Sequence, residues 1–239
     1  MNEAYNMDCM DYVKGLPDGY FDLILADPPY GINITTRHGT GTRTVLVGGG
    51  GRPFGGKSRQ TDGCKQKVLC ESQFYPVFDD SSPPDERVFR ELERVSKHMI
   101  VWGGNFFLDK LNKPASCMIV WDKKRRGMDQ ADCEIAWTNL PGQSRIFEFR
   151  WNGMLQGNMK HKEERIHSTQ KPVALYKYLL STFAKPGDRI FDPYLGSGSS
   201  RIAAWDMGFD FVGCEIDKTY FDLMEKRFAE YTKQTRMEL

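Results

Sequence analysis

The sequence predicts an α/β protein built on a mostly parallel sheet, and three stretches predict it. Residues 21–26 (FDLILA), 189–192 (RIFD) and 209–214 (FDFVGC) are short, apolar and β-rich, as strands buried on both faces are. Each ends on or just before an acid: Asp27, Asp192 and Glu215. The carboxyl ends of central strands are where open α/β sheets place their ligands.

The first of these strands is stopped by Asp27-Pro28-Pro29-Tyr30. Neither proline can donate a ladder hydrogen bond. A carboxylate and a phenol ring are thereby held at a strand end. Asp27 offers acceptors only, Pro28 and Pro29 offer carbonyls on a stiff backbone, and Tyr30 offers a flat apolar face with a polar tip. Acceptors beside a stacking ring suit a planar group with an amino group on its edge, such as adenine or cytosine. Without further signals, a strand followed by a Pro-Pro turn with Tyr30 in the core would explain the same residues.

The second strand runs into Asp192-Pro193-Tyr-Leu-Gly196-Ser197-Gly198, and residues 201–207 can continue as a helix stopped by Gly208. The glycines let backbone approach a ligand closely. Glu215, ending the third strand, is placed to hydrogen-bond ribose hydroxyls. A dinucleotide site would need Gly-x-Gly-x-x-Gly, and its third glycine is replaced by Arg201. Asp192 would also repel a pyrophosphate, whereas it suits a cationic sulfonium. S-adenosylmethionine has the ribose, the adenine and the sulfonium, and no phosphate.

Asp27-Pro-Pro-Tyr30, His167-Ser-Thr-Gln-Lys-Pro172 and Phe191-Asp-Pro-Tyr-Leu-Gly-Ser-Gly198, in that order, resemble the signatures of the amino-methylating DNA methyltransferases. The catalytic motif precedes the cofactor motif, as in the family's β group. The resemblance covers residues 5–34 and 75–232 and does not extend over 35–74. It implies a Rossmann-like methyltransferase fold with a seven-stranded sheet, S-adenosylmethionine as cofactor, and methylation of an exocyclic amine on a base flipped out of double-stranded DNA. It implies a catalytic role for Asp27, Pro28, Pro29 and Tyr30. It also implies cofactor contacts from Asp8, Asp27, His167, Thr169, Lys171, Asp192, Pro193, Gly196, Ser197, Gly198, Glu215 and Ile216, with Lys171 meeting the methionine carboxylate. Asp rather than Ser or Asn at position 27 resembles the adenine-N6 branch; Ser would suggest cytosine N4, and Asn glutamine or RNA.

The rest of the chain follows in order. Its 239 residues suit one domain with a modest insertion, and 40% hydrophobic residues suffice for a large core. A net charge of +1 says little, because a DNA enzyme needs only one basic face. With no secretory signal, no apolar run of membrane-spanning length and six irregularly spaced cysteines, the expectation is a cytosolic protein with reduced thiols in a bacterial or phage-infected cell. Asp8 also suits the N-cap of a short helix over residues 10–14. Residues 35–74 form a basic, Gly-rich insertion in which Arg37, Arg43, Arg52, Lys57 and Arg59 are set to grip phosphate, and such a stretch is mobile when free. A metal site from His38, Cys64 and Cys70 is disfavoured because the paired Cys-x-x-Cys spacing is absent.

Residues 84–96 predict an amphipathic helix, followed by a strand over 99–102 and Gly103-Gly-Asn105, which could line a base pocket. Trp102 is expected in the core. Residues 116–121 predict a strand, and Lys123, Lys124 and Arg125 behind it are set to touch phosphate or to be a solvated turn. Residues 133–137 and 145–149 look like a paired antiparallel hairpin. Residues 151–166 are the candidate recognition segment: Lys160 and Lys162 for phosphate, Asn152, Gln156 and Asn158 for base edges. Ser168 or Thr169 is set to cap the helix that follows, and residues 218–233 predict a closing helix with Phe221, Met224, Phe228 and Tyr231 on its core face.

Two other classes fit parts of the pattern. A nicotinamide oxidoreductase shares the sheet but needs the missing glycine. A non-catalytic DNA-binding module would not need both Asp27 and Tyr30. Cytosine N4, RNA or protein amines are alternative acceptors for the same chemistry. Family members are often homodimers, and no sequence feature decides the state here.

Overall fold

The computed structural model describes residues 1–33, 76, 78–111, 113–127, 131–152 and 155–237. The basic insertion at 35–74, with Arg37, Arg43, Arg52, Lys57, Arg59, His38, Cys64 and Cys70, lies outside the described residues.

Ten strands and five α-helices follow one another along the described residues. They are β1 (Asn2–Tyr5), α1 (Cys9–Val13), β2 (Phe21–Ala26), α2 (Glu86–Arg94), β3 (Ser96–Trp102), β4 (Cys117–Asp122), β5 (Cys133–Thr138), β6 (Arg145–Glu148), β7 (Trp151–Asn152), β8 (Leu155–Gln156), α3 (Val173–Phe183), β9 (Arg189–Asp192), α4 (Ser199–Asp206), β10 (Asp210–Cys214) and α5 (Lys218–Met237). A short 3₁₀ turn, Gly104–Phe106, follows β3. Eight strands form one sheet in the order β1-β10-β9-β2-β3-β5-β4-β6, and β7 and β8 form a separate pair.

The sheet has eight strands where seven were expected, and the antiparallel hairpin is made by β4 and β5 rather than by residues 133–137 and 145–149. β5 pairs antiparallel with both β3 and β4, whereas β6 runs parallel to β4 on its far side. The physical reason is burial. β4 (CMIVWD) is largely buried and takes the inner place, while β6 is exposed at Arg145, Ile146 and Glu148 and takes the edge.

β5 alone runs against the other strands of this sheet. β1, β10, β9, β2 and β3 are all mutually parallel, so their carboxyl ends share one edge. Because β5 is reversed, its amino end lies at that same edge.

Period-two alternation splits β2 and β3 between two cores. Leu23, Leu25, Ile100 and Trp102 face Leu175, Tyr176, Leu179 and Leu180 of α3 and Ile202 and Ala203 of α4. Ile24, Ala26, Met99 and Val101 face Phe89 and Leu92 of α2. Those two α2 side chains are 2% and 0% exposed, and burial of each stabilises the layer by about 1.5–3 kcal/mol.

Helix starts use local chemistry. Asp8 caps α1 by accepting from Met10 N at 2.8 Å, and Asp85 caps α2 by accepting from Arg87 N at 2.8 Å. For α3 the expected Ser168 or Thr169 cap is not used. Pro172 holds the cap position without a side-chain bond, and the Val173 N–H donates to Glu163 Oε1 at 2.9 Å. Among the described residues no helix is long and apolar enough to cross a membrane, and no group of three metal-ligating side chains is found.

Candidate active site

The shared edge gathers Asp27 after β2, Asp192 at the end of β9, Glu215 after β10, Asp8 after β1 and Gly103 after β3. Asp27 and Tyr30 are bonded to each other: the Tyr30 hydroxyl donates to Asp27 Oδ1 at 2.9 Å. The chain is held in place just beyond, where buried Asp80 accepts from Gly31 N at 2.9 Å. Phe106 stacks on Tyr30 with 5.2 Å between ring centroids, and its 43% exposure extends the aromatic surface toward solvent. Asn105 stands exposed on the same 3₁₀ turn.

Lys171 does not stand free to meet a cofactor carboxylate. Its ammonium is buried, ion-paired with Asp27 Oδ1 and 3.2 Å from Glu134 Oε2, and it donates to the Tyr30 hydroxyl at 3.2 Å. Glu134 is the second residue of β5, brought to this edge by the reversed strand, and Lys123 pairs with its other oxygen, Oε1. The expectation that Lys123 touches phosphate is corrected: it is 8% exposed and turned inward onto Glu134. The alternation that buries Cys117, Ile119 and Trp121 extends to it. Lys124 and Arg125 behave differently. Lys124 is exposed and 2.5 Å from Glu148, and Arg125 Nε donates to the Ala131 carbonyl at 2.9 Å.

The four charges cancel in pairs, and burial and pairing together set their acidities. Burial raises Asp27 above the usual carboxylate range, and the Lys171 ammonium opposes it. Glu134, flanked by Lys171 and Lys123, is held down at about 2 in spite of burial. Burial together with the Asp27 charge pushes the Tyr30 phenol well above its ordinary value.

The glycine turn lies beside this cluster. Gly196 and Gly198 have φ of +49° and +73°, left-handed values that a side chain disfavours. Gly196 N donates to Glu215 Oε2 at 2.7 Å, and Asp217 N donates to Oε1 at 2.9 Å, so Glu215 braces the turn from across β10. Arg227 of α5 donates to the Ser197 carbonyl at 2.7 Å and to Glu163 Oε2 at 2.9 Å. Asp192 is 1% exposed, accepts from Tyr194 N at 2.9 Å and Ser200 Oγ at 2.5 Å, and is pushed up to about 7 by burial and by the Asp27 and Glu215 charges.

Acids repelling one another around a glycine turn are a donor set that a cationic, phosphate-free nucleoside would relieve. Ile216, 70% exposed directly after Glu215, offers an apolar platform beside it, and Pro193 stiffens the turn at its start. These residues fit S-adenosylmethionine in charge. His167 is packed between Phe78 and Tyr220 with ring centroids 4.8 and 4.2 Å away, and its Nδ1 meets Thr169 Oγ1 at 3.0 Å. Burial and the Lys171 charge hold its imidazole neutral, down at about 3.

The recognition segment departs from expectation at Gln156. Its amide is consumed by the backbone of Glu163, accepting from N at 2.7 Å and donating to O at 2.8 Å, and the side chain is 7% exposed. It cannot also read a base edge. Gln170 ties the same segment by accepting from Ile166 N at 2.9 Å and donating to the Glu164 carbonyl at 3.0 Å. Lys160, His161 and Lys162 are exposed.

The fold and this edge define a class: an α/β protein with a nucleoside-type cradle beside an acid, a tyrosine and a buried lysine. Residues 97–226, more than half the chain, match the N6/N4 methyltransferase family, described as DNA methylase. The chain belongs to this family of amino-methylating DNA methyltransferases. It is 24% identical to the Type II methyltransferase M.HinfI of Haemophilus influenzae, over 96% of this chain and 69% of that protein. Among solved structures it resembles the M1.HpyAVI–SAM complex, with a TM-score of 0.52 and 21% identity over 95% of this chain and 100% of that one. It also resembles the cytosine-N4-specific PvuII DNA methyltransferase, with a TM-score of 0.54 and 13% identity over 95% and 86% of the two chains. The architecture is thus the Rossmann-like fold of such methyltransferases.

Proposed function

We propose that this chain methylates the exocyclic N6 of an adenine flipped out of a specific double-stranded DNA sequence, with S-adenosylmethionine as donor. One observation carries the reading. Both the Tyr30 and the Lys171 contacts of Asp27 fall on Oδ1, which leaves the acceptor capacity of Oδ2 for a substrate.

An exocyclic amine is a poor nucleophile because its lone pair is delocalised into the ring. Asp27 Oδ2 and the Pro28 carbonyl accept its two hydrogens, which draws the nitrogen toward sp³ and frees the pair. Tyr30 stacks on the extruded base. Flipping costs a few kcal/mol, and stacking returns about 1–3 kcal/mol. The cofactor, when bound, supplies an activated methyl group on a sulfonium. Asp192, Gly196, Ser197, Gly198, Glu215 and Ile216 orient it, with Asp8, His167 and Thr169 closing the edge. The proton shed by the nitrogen is taken up at Asp27. Positioning is the main catalytic term. Lys160 and Lys162 contact phosphate, and the setting is the cytoplasm of a bacterial or phage-infected cell.

Cytosine N4 is the second reading, favoured by the likeness to the PvuII enzyme. Asp at position 27 supports adenine. Sequencing genomic DNA from a methylation-free host expressing the chain or its Asp27→Ala variant separates them. N6-methyladenine in one short motif, lost in the variant, is the expected result. N4-methylcytosine would overturn the base, and an unmodified genome would move the acceptor to RNA or protein.

A further inference from the structure

Two buried lysines and a half-buried acid lie behind Asp27 in a continuous row. Lys123 is paired with Glu134 Oε1, Glu134 Oε2 is 3.2 Å from the Lys171 ammonium, and that ammonium is paired with Asp27 Oδ1. Lys171 and Lys123 are 4% and 8% exposed. Removing charged groups from water on this scale is costly unless each is paired. A core of this size could have been closed with apolar residues instead. The row ends on the one oxygen of Asp27 that the proposed reaction does not use.

We propose that Glu134 is a positioning residue of the methyl-transfer reaction. With Lys123 as its counter-ion, it shares the Lys171 ammonium with Asp27 Oδ1, so that Oδ2 is left for the amine and Asp27 keeps its basicity. The proposal rests on reading Asp27 as the acceptor of the amine's hydrogens. Lys171 cannot perform this alone. With no second anion, an ammonium between Asp27 and the Tyr30 hydroxyl would lie wholly on Asp27 and draw off the basicity that the amine needs.

The groups facing Asp27 from the elements around it are Tyr30, Lys171, Glu134, Tyr176 of α3 and Asp192 of β9, with Lys123, Arg125 and His167 one step further out. Within this set Glu134 raises the pKa of Asp27 by like-charge repulsion. Its loss therefore moves Asp27 to lower pH. Lys123 offsets Glu134, so its loss moves Asp27 to higher pH.

The test uses Glu134→Gln and Lys123→Met in the full chain, with Asp27→Asn as control. Methylation of duplex oligonucleotides gives kcat, KM and their pH dependence. ¹³C-carboxyl NMR of aspartate-labelled protein without cofactor gives the Asp27 titration directly. Expected for Glu134→Gln is a fall in kcat of about tenfold or more with KM within about twofold, the pattern of an interaction made only in the transition state. The acidic limb and the Asp27 titration both move down in pH; Lys123→Met moves both up. Unchanged kcat and titration, shifts of one sign in both variants, or a KM effect alone would overturn the proposal. Should one variant fail to fold, the other carries the test through the sign of its shift. An active Asp27→Asn enzyme would instead overturn the reading of Asp27 itself.

Discussion

A β-carbon added to Gly103 would lie 2.4 Å from Cε1 of Tyr30. Gly103 closes β3, has φ of +67°, and leads into the 3₁₀ turn that carries Phe106. The aromatic ring can rest against the strand edge only because this position has no side chain.

Gly103→Ala is therefore expected to act twice. The left-handed conformation costs an alanine about 1–2 kcal/mol, which lowers Tm by roughly 2–8 °C in a protein of this size. The displaced Tyr30 ring costs more in rate, about a hundredfold in kcat for a misplacement near 1 Å. Calorimetric titration with S-adenosylmethionine should show nearly unchanged affinity, because the glycine turn lies across β9. Wild-type activity would show that Tyr30 is not needed where it stands.

Asp192 sets a pH dependence. Its folded-state value is raised to about 7, so the folded protein holds this proton more tightly than the unfolded chain does. The sign follows: as pH rises from about 4 through 7, this group's contribution to the stability of the cofactor-free protein declines. A cationic ligand reverses the preference and favours the ionised form, so S-adenosylmethionine should bind more tightly as pH rises toward 7 and level off above it. Titrations from pH 5.5 to 8.5 check this. Asp192→Asn should bind weakly with a flat profile; a sloping profile in that variant would assign the dependence to another group.

Gln156 and Lys160 separate structure from recognition in one segment. Gln156→Leu leaves the Glu163 N–H and carbonyl unpaired, at a cost of about 1–3 kcal/mol each where buried. It should lower the denaturation midpoint while the methylated motif stays the same. Lys160→Ala with Lys162→Ala should leave stability alone, weaken DNA binding across all sequences, and reduce the salt slope by about 2. A changed motif in Gln156→Leu would restore that residue as a base reader.

The parts of the site legible in sequence were those whose chemistry is local. An apolar run stopped by Asp27-Pro28-Pro29 and another opening on Asp192 and a glycine turn announce strand ends within a few residues. Helix spacing likewise placed α2 and α5. Partners distant in sequence were not legible. Lys123 sits in a run of four basic residues, which resembles a solvated turn, and it goes inside because Glu134 waits there. The available signal was its parity with Cys117, Ile119 and Trp121. Arg227 and Glu163, which tie the glycine turn to the start of α3, carry no motif at all. The pairing of β5 with β6 was misread because neighbours in sequence invite a hairpin, whereas relative burial decides which strand takes the inner place.

The sheet order also governs how the chain comes together during synthesis. β2 meets β3 early, but its other side is closed only by β9, and β10 must then enter between β9 and β1. A nascent chain therefore leaves the ribosome with one flank of its central strand open until β9 has been made. Such uncovered strand edges invite pairing with other chains. Helper proteins that shield nascent chains, and a slow final step dominated by long-range pairing, are the expected companions of this topology. No truncated translation product that stops before β10 can assemble the nucleoside cradle, so premature release yields no partly active enzyme on the genome.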